Sequence, residues 1–171
     1  MKSLLILGAG GYGRTVADVA AQLGEYDRIA FLDNLQTGEH ILGKCDDYRR
    51  FLEEYEELYP AFGNNELRVR WLNRFLSEGI AVPTLVHPRA YVSPEAKLES
   101  GVVILPMAVV NTGARVKYGC IVNIGALVDH DCVLEEGVHL APGAIVKAEN
   151  RIPAGSKIDS GTVIENRQYP L

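Results

Sequence analysis

Two histidines in the second half of the chain have the chemistry that proton transfer needs. His130 and His139 lie nine residues apart in the stretch VDHDCVLEEGVHLAPG, residues 128–143. An imidazole titrates near neutral pH, so it can take the proton from an amine or hydroxyl that attacks a thioester. Asp131 could fix the His130 tautomer and stabilise its charged form, provided that a turn or a second subunit brings the two side chains together. The alternative is a pair of exposed surface histidines, and a metal site is disfavoured because no third ligand accompanies them.

Glycines near the N-terminus have the spacing of a phosphate-binding loop. Gly8, Gly10 and Gly13 satisfy GxGxxG between a strand-like apolar run, SLLILG, and a helical pattern. Such a loop lets backbone N–H groups approach a phosphate at the N-terminus of a helix. Asp33 ends the next predicted strand, where an acid can bond a ribose hydroxyl. By itself this pattern is typical of NAD binding, but the rest of the chain offers no second domain for hydride chemistry.

Strands and helices alternate over residues 1–85, which predicts a small parallel α/β sheet. The predicted strands are SLLILG, RIAFLDN and YPAFGNN. The predicted helices are RTVADVAAQLG, which ends in a stop glycine, DDYRRFLEEYEEL, with Asp46 or Asp47 as its N-cap, and ELRVRWLNRFLSEG. In FGNN, Gly63, Asn64 and Asn65 fit a ligand site at the end of a strand, or Asn65 caps the third helix, and both interpretations stay open.

A six-residue repeat occupies residues 86–171. Every sixth residue is Val, Ile or Leu at fourteen successive positions, 86, 92, 98, 104, 110, 116, 122, 128, 134, 140, 146, 152, 158 and 164. The fourth residue after each aliphatic is usually small, and glycine often precedes it. No helix has this period, whereas a β-solenoid with one short strand and one turn per hexad does. Three hexads close one triangular coil, so the repeat predicts between four and five coils, with the aliphatics inside and Cys120 and Cys132 as small packing residues.

Composition and charge narrow the functional classes. The net charge of −5 disfavours a nucleic-acid surface, which is normally basic. The apolar run Leu4–Leu7 is too short for a signal-peptide core or a membrane helix. The three cysteines are odd in number and form no CxxC pair, which favours reduced thiols. We therefore expect a cytoplasmic protein that binds neither nucleic acid nor membrane.

Five stretches together resemble the hexapeptide-repeat acyltransferases of the sialic acid O-acetyltransferase and bacillosamine N-acetyltransferase family. They are ILGAGGYG, FLDN, FGNNELR, LVHPRAYVSPEA and NIGALVDHDCVLEEGVHLAPGA. The resemblance implies an α/β Rossmann-like nucleotide-sugar-binding domain over residues 1–85 and an all-β left-handed parallel β-helix acyltransferase domain over residues 86–171. It further implies acetyl-CoA as cosubstrate, no metal, and a homotrimer with active sites between subunits.

The resemblance also implies roles for individual residues. His130 would be the general base, tuned by Asp131. The acetyl-CoA contacts would come from His139, Asn123 and Gly143. Seven residues of the first domain would bind the nucleotide-sugar substrate, and these are Gly8, Gly10, Gly11, Tyr12, Asp33, Asn34 and Asn64. Tyr12 stands where the family often carries a histidine.

The predicted activity is transfer of an acetyl group from acetyl-CoA to the amino group of a nucleotide-activated sugar. O-acetylation of a sugar hydroxyl, as on sialic acid, is an alternative because the same base serves both reactions. A non-catalytic nucleotide-sugar-binding homologue that has lost the CoA site is a second alternative. It is suggested by the end of the repeat, where Glu149–Asn150 and Arg167–Gln168 replace the usual pairs of glycine and a small residue.

Overall fold

The computed structural model describes residues 1–171 and divides the chain into two compact units. The first unit is Met1–Pro83 and the second is Thr84–Leu171. Neither of the two α-helices combines the length and the apolar character that a membrane-spanning segment requires.

The first unit is built on a three-stranded parallel sheet. Its elements are β1 (Lys2–Leu7), α1 (Gly11–Leu23), β2 (Tyr26–Leu32), a 3-10 helix (Cys45–Phe51), β3 (Glu57–Pro60) and α2 (Asn65–Ser77). The strand order is β2-β1-β3, and both pairs are parallel, as the alternation of strands and helices predicted. The apolar residues Leu4–Leu7 of the central strand are fully buried. Because the strands are parallel, the loops that follow them meet at one edge of the sheet.

The two α-helices begin and end at the residues that capping chemistry favours. α1 ends at Gly24, which has a left-handed φ of 69° and donates its N–H to the Ala21 carbonyl. α2 begins after Asn64, whose side-chain oxygen accepts the N–H of Leu67 at 2.8 Å. The capping interpretation of FGNN is therefore confirmed, although the cap is Asn64 and not Asn65.

The predicted helix over residues 46–58 is wrong in its second half. It starts as the 3-10 helix, and Lys44 rather than Asp46 or Asp47 occupies the position before its first turn. Its last residues belong to strand β3, whose Leu and Tyr side chains are fully buried. β3 pairs with the central strand β1 along its whole length. Strand pairing and burial against the sheet therefore outweigh the helical propensity of EEYEEL.

The second unit consists of fourteen two-residue strands joined by tight turns. They are β4 (Leu85–Val86), β5 (Tyr91–Val92), β6 (Lys97–Leu98), β7 (Val103–Ile104), β8 (Val109–Val110), β9 (Arg115–Val116), β10 (Ile121–Val122), β11 (Leu127–Val128), β12 (Val133–Leu134), β13 (His139–Leu140), β14 (Ile145–Val146), β15 (Arg151–Ile152), β16 (Lys157–Ile158) and β17 (Val163–Ile164). Every third strand joins the same parallel sheet, and the three sheets contain five, five and four strands. This is the left-handed parallel β-helix that was expected.

The aliphatic residue of each hexad points into the β-helix. The aliphatics from Ile104 to Ile164 are buried, and the three before them are partly buried against the same cluster. Cys120 and Cys132 are fully buried in this cluster and form no disulfide, which confirms their packing role. Stacking from coil to coil thus forms one continuous core that no single coil could bury.

Candidate active site

His130 and Asp131 form a hydrogen-bonded pair at one corner of the β-helix, in the turn between β11 and β12. The Nδ1 atom of His130 lies 2.8 Å from Oδ2 of Asp131. Because an ionised carboxylate can only accept, Nδ1 carries the hydrogen and Nε2 keeps its lone pair. The two side chains are 48% and 59% exposed, so a substrate can approach them. The pair can therefore accept a proton at Nε2 while the carboxylate stabilises the resulting charge.

The turn places these two neighbouring side chains on the same side of the chain. Adjacent residues of an extended strand would point to opposite faces. Asp131 instead has a φ of 57°, in the left-handed region that glycine usually occupies. The contact between His130 and Asp131, which was expected to need either a turn or a second subunit, is thus formed by a turn within one chain.

Acidic groups surround the His130 imidazole. The carboxylate of Asp129 accepts the backbone N–H of His130 at 2.7 Å and the side-chain amide of Asn111 at 3.1 Å. The hydrogen bond to Asp131 raises the pKa of His130, and the negative charges of Asp129, Asp131 and Glu149 add to this effect. A raised pKa makes the neutral imidazole a stronger base. Asp129 and Asn111 were not predicted as site residues, although an acid on each side of a histidine is a visible signal in the sequence.

A second polar group lies at the end of β10. Nδ2 of Asn123 is 3.0 Å from Nε2 of His139, which begins β13 in the same sheet. Oδ1 of Asn123 accepts the N–H of Ile124 at 2.8 Å. The Asn123 amide therefore presents its donor to the imidazole, so Nε2 of His139 accepts and Nδ1 carries the hydrogen. Gly143 belongs to the same corner because its N–H donates to the Ile124 carbonyl at 2.9 Å. The structure thus brings together the three residues assigned to acetyl-CoA.

The first unit contains a cleft of about 490 Å³, formed largely by the loops that follow its three strands. α1 begins at this cleft with Gly10 as its cap, and its first turn has neither a capping side chain nor an acidic residue. The N–H groups of such a turn and the helix dipole favour an anion. All seven residues predicted to bind the substrate line the cleft, namely Gly8, Gly10, Gly11, Tyr12, Asp33, Asn34 and Asn64.

Asp33 also organises the loops of the cleft. Its Oδ2 accepts the N–H of Ala9 at 2.7 Å, and its Oδ1 accepts the N–H groups of Leu35 and Gln36, each at 2.8 Å. Burial alone would raise the pKa of Asp33, but these three hydrogen bonds outweigh it and lower the pKa. The carboxylate is therefore ionised at neutral pH and ties the glycine loop to the loop after β2. Its contact with a ribose stays a prediction.

Three further predicted residues use their side chains within the cleft wall. Oδ1 of Asn34 accepts the N–H of Cys45 at 3.0 Å, and Asn64 caps α2 as described above. The hydroxyl of Tyr12 lies 2.9 Å from the hydroxyl of Tyr59. Burial raises the pKa of Tyr12, so the phenol stays neutral. These contacts fix the shape of the cleft, and direct contacts with a nucleotide sugar stay a prediction.

The apolar part of the cleft wall was not predicted from the sequence. Leu35, Phe62 and Leu67 line it together with Ala61 and Cys45. Burial raises the pKa of the Cys45 thiol to about 11, so it is protonated at neutral pH and serves as an apolar surface. The position of Phe62 directly before GNN was the available signal, because residues at the end of a parallel strand face the same edge of the sheet.

The remaining histidines and acids do not assemble a metal site. No three His, Cys, Asp or Glu side chains are grouped so that they could hold a metal ion. His87 is buried and its Nδ1 accepts the N–H of Arg89 at 3.0 Å, whereas His40 is exposed in a loop of the first unit.

Comparisons with known proteins cover both units. The family model described as the PglD N-terminal domain matches residues 3–75. The acetyltransferase domain of PglB from Neisseria gonorrhoeae is 37% identical, with a TM-score of 0.94 over 98% of this chain and 84% of that chain. The same domain in complex with acetyl coenzyme A matches with the same identity and TM-score over 97% and 83%. A histidine-to-alanine mutant of GDP-perosamine N-acetyltransferase from Caulobacter crescentus, in complex with CoA and GDP-perosamine, is 25% identical, with a TM-score of 0.83 over 97% and 90%.

Proposed function

Because the chain belongs to the hexapeptide-repeat sugar acetyltransferases, we propose that it transfers the acetyl group of acetyl-CoA to the amino group of a nucleotide-linked amino sugar, with His130 as general base. The observation that carries this proposal is the His130–Asp131 pair, placed on the fold of an acetyltransferase. Support for the two substrates comes from relatives, one solved with acetyl coenzyme A and another with CoA and GDP-perosamine.

The reaction begins with attack of the sugar amine on the thioester carbonyl. As the new C–N bond forms, Nε2 of His130 takes a proton from the amine, and Asp131 stabilises the imidazolium across the 2.8 Å contact. The tetrahedral intermediate then collapses, the C–S bond breaks, and the imidazolium returns its proton to the leaving thiolate of CoA. The raised pKa of His130 favours the first proton transfer.

The residues around Asn123 hold the acetyl donor in this proposal. Asn123 fixes the tautomer and orientation of His139 through the 3.0 Å contact. Gly143 lies at the same corner of the β-helix. We assign these three residues to the acetyl end of acetyl-CoA, as the resemblance implied, because a fixed polar group near a thioester can orient its carbonyl.

The cleft of the first unit binds the nucleotide in this proposal. Its volume of about 490 Å³ is that of a small-molecule site. The uncapped N–H groups at the start of α1 fit the negative charge of a diphosphate. The ionised carboxylate of Asp33 is suited to accept a hydrogen bond from a ribose hydroxyl.

An amine acceptor is preferred to a hydroxyl because the relative solved with a nucleotide sugar is an N-acetyltransferase. We also propose a homotrimer with active sites between subunits, as the family resemblance implies. The half-exposed His130 and Asp131 leave room for a second subunit to complete the site.

Release of CoA from acetyl-CoA, followed with a thiol reagent, tests the reaction with a series of UDP- and GDP-linked amino sugars. We expect one amino sugar to drive release, and His130→Ala to lower kcat by about 10²- to 10⁴-fold with little change in the KM for acetyl-CoA. His40→Ala is the matched control, because it removes an exposed histidine of the first unit.

Three results would contradict the proposal in different ways. A His130→Ala rate within about threefold of the wild type would place the base elsewhere. Faster release with the matching hydroxy sugar would assign O-acetylation. If a nucleotide sugar raises the melting temperature but acetyl-CoA does not, and no sugar drives release, the chain is a binding homologue without a CoA site.

A further inference from the structure

A left-handed backbone position recurs at the corners of the β-helix, three residues after the inward aliphatic. Glycine occupies this position in eight hexads, at residues 101, 113, 119, 125, 137, 143, 155 and 161. The residues that adopt it without being glycine are Met107, Asp131, Glu149 and Arg167. An L residue rarely accepts this conformation, so a side chain found there needs a compensating contact. For Asp131 that contact is the hydrogen bond with His130.

Gly113 occupies the equivalent corner one coil before Asp131. The two coils are joined at this corner by the N–H of Asp131, which donates to the Thr112 carbonyl at 3.0 Å. A Cβ atom added at Gly113 would lie 2.4 Å from Oδ1 of Asp131 and 3.3 Å from its Cγ, whereas ordinary contact begins at 3.4 Å. The carboxylate of Asp131 therefore occupies space that only glycine leaves open.

Movement of the Asp131 side chain relieves this overlap with the smallest rearrangement. The atom that the new Cβ would meet is the far end of that side chain, and the nearest backbone atom, the Asp131 nitrogen, is 3.7 Å away. The carboxylate would have to move by about 1 Å. Because both of its oxygens move together, Oδ2 would be drawn out of its contact with the imidazole.

We propose that Gly113 is a positioning residue for catalysis, whose missing side chain lets the Asp131 carboxylate reach His130. This inference rests on the proposed function of His130 as the base. It adds to the site a residue that has no assigned contact with either substrate and that lies in the coil before Asp131.

The charged groups near His130 are Asp129, Asp131 and Glu149. Glu149 is in turn bound by the guanidinium of Arg167 in the next coil, and Asp129 is held by Asn111. Displacing Asp131 leaves the other acids in place. The shift of the kcat–pH profile that this displacement causes should therefore be no larger than the shift caused by removing the Asp131 carboxylate.

Gly113→Ala is the test, and Gly155→Ala is its matched control. Gly155 has nearly the same φ, 69° against 70°, and a Cβ there meets nothing within 4 Å. Both variants carry the same left-handed strain, and only Gly113→Ala displaces Asp131. We expect kcat of Gly113→Ala to be about 10- to 100-fold below that of Gly155→Ala, with the acidic limb of the kcat profile moved to lower pH and the KM for acetyl-CoA unchanged.

A double-mutant cycle separates positioning from general damage. In the Asp131→Ala background the obstructed carboxylate is absent, so adding Gly113→Ala should lower kcat by less than about twofold. The same double variant should fold as Gly155→Ala does even if Gly113→Ala alone does not. Equal kcat values and pH profiles for Gly113→Ala and Gly155→Ala would overturn the inference, as would full additivity in the cycle or failure of the double variant to fold. A wild-type rate for His130→Ala would instead overturn the proposed function.

Discussion

Gly13, the third glycine of the N-terminal motif, should be the least replaceable residue of the glycine loop. A Cβ atom added there would lie 1.9 Å from the Gly8 carbonyl oxygen and 2.8 Å from its carbonyl carbon. Ordinary contact begins at 3.4 Å, so α1 and the end of β1 must separate by about 1.5 Å. Both contacted atoms are backbone atoms of Gly8, directly after the central strand β1, so no flexible side chain can move aside.

The expected cost of Gly13→Ala is about 3 kcal/mol of unfolding free energy, at the upper end of the usual range for overpacking. With a urea m-value of about 1–3 kcal/mol/M, the midpoint of the first unit should fall by roughly 1–3 M. Trp71 is the only tryptophan of the chain and lies in α2. Its fluorescence therefore reports the unfolding of the first unit without a contribution from the β-helix.

Gly11→Ala is the control for this prediction. Gly11 belongs to the same helix, and a Cβ there meets nothing within 4 Å. Its urea midpoint should equal that of the wild type or exceed it slightly, because alanine favours a helix more than glycine does. A Gly13→Ala midpoint within about 0.3 M of the wild type would refute the close approach of α1 to β1.

Two further predictions concern the second unit. In the proposed reaction, base catalysis requires neutral His130, whose pKa is raised chiefly by Asp131, so acetyl transfer should decline as the pH falls through that pKa. Asp131→Asn should move this decline to lower pH and reduce the maximal rate, and an unmoved kcat–pH profile would contradict the role of the carboxylate. Asn150 is fully buried, and its side chain donates to the Lys147 and Glu165 carbonyls and accepts the N–H of Tyr169, each at 2.8 Å. Asn150→Ala should therefore destabilise the β-helix by about 3 kcal/mol, seen as a lower melting temperature in circular dichroism. The control Asn166→Ala, which changes an exposed residue, should melt as the wild type does. A similar melting temperature for both variants would count against the hydrogen bonds of Asn150.

Asn150 also bears on the interpretation of the C-terminal hexads. The sequence shows a bulky polar residue where the repeat usually has a small one, which suggested the alternative of a homologue that has lost its CoA site. The structure continues the coils to β17, and Asn150 ties three backbone groups of the last turns together. A buried amide can replace a small residue only where all of its partners are in reach, and those partners lie up to nineteen residues away.

The secondary structure could be predicted from the sequence wherever a single local pattern determines it. The hexad aliphatics recur without interruption, and each one can be buried only by stacking on its equivalents. The stop of α1 at a left-handed glycine is local as well. The strand predicted at YPAFGNN begins too late, because Glu57 and Leu58 were assigned to the preceding helix. Their sequence is compatible with a helix, and only pairing with β1 makes them part of β3.

The sequence by itself determined the β-helix, the parallel sheet, the glycine loop and the residue types that could act on a thioester. These follow from periodicity and from short motifs, in which each residue acts through its neighbours along the chain. Only the tertiary structure decided that Asp131 turns back onto His130, that Asn123 meets His139, and that Gly113 leaves the space which Asp131 fills. Each of these contacts depends either on a left-handed backbone conformation or on a residue in an adjacent coil. A local pattern encodes neither the φ of a single residue nor a contact with a residue sixteen or eighteen positions away.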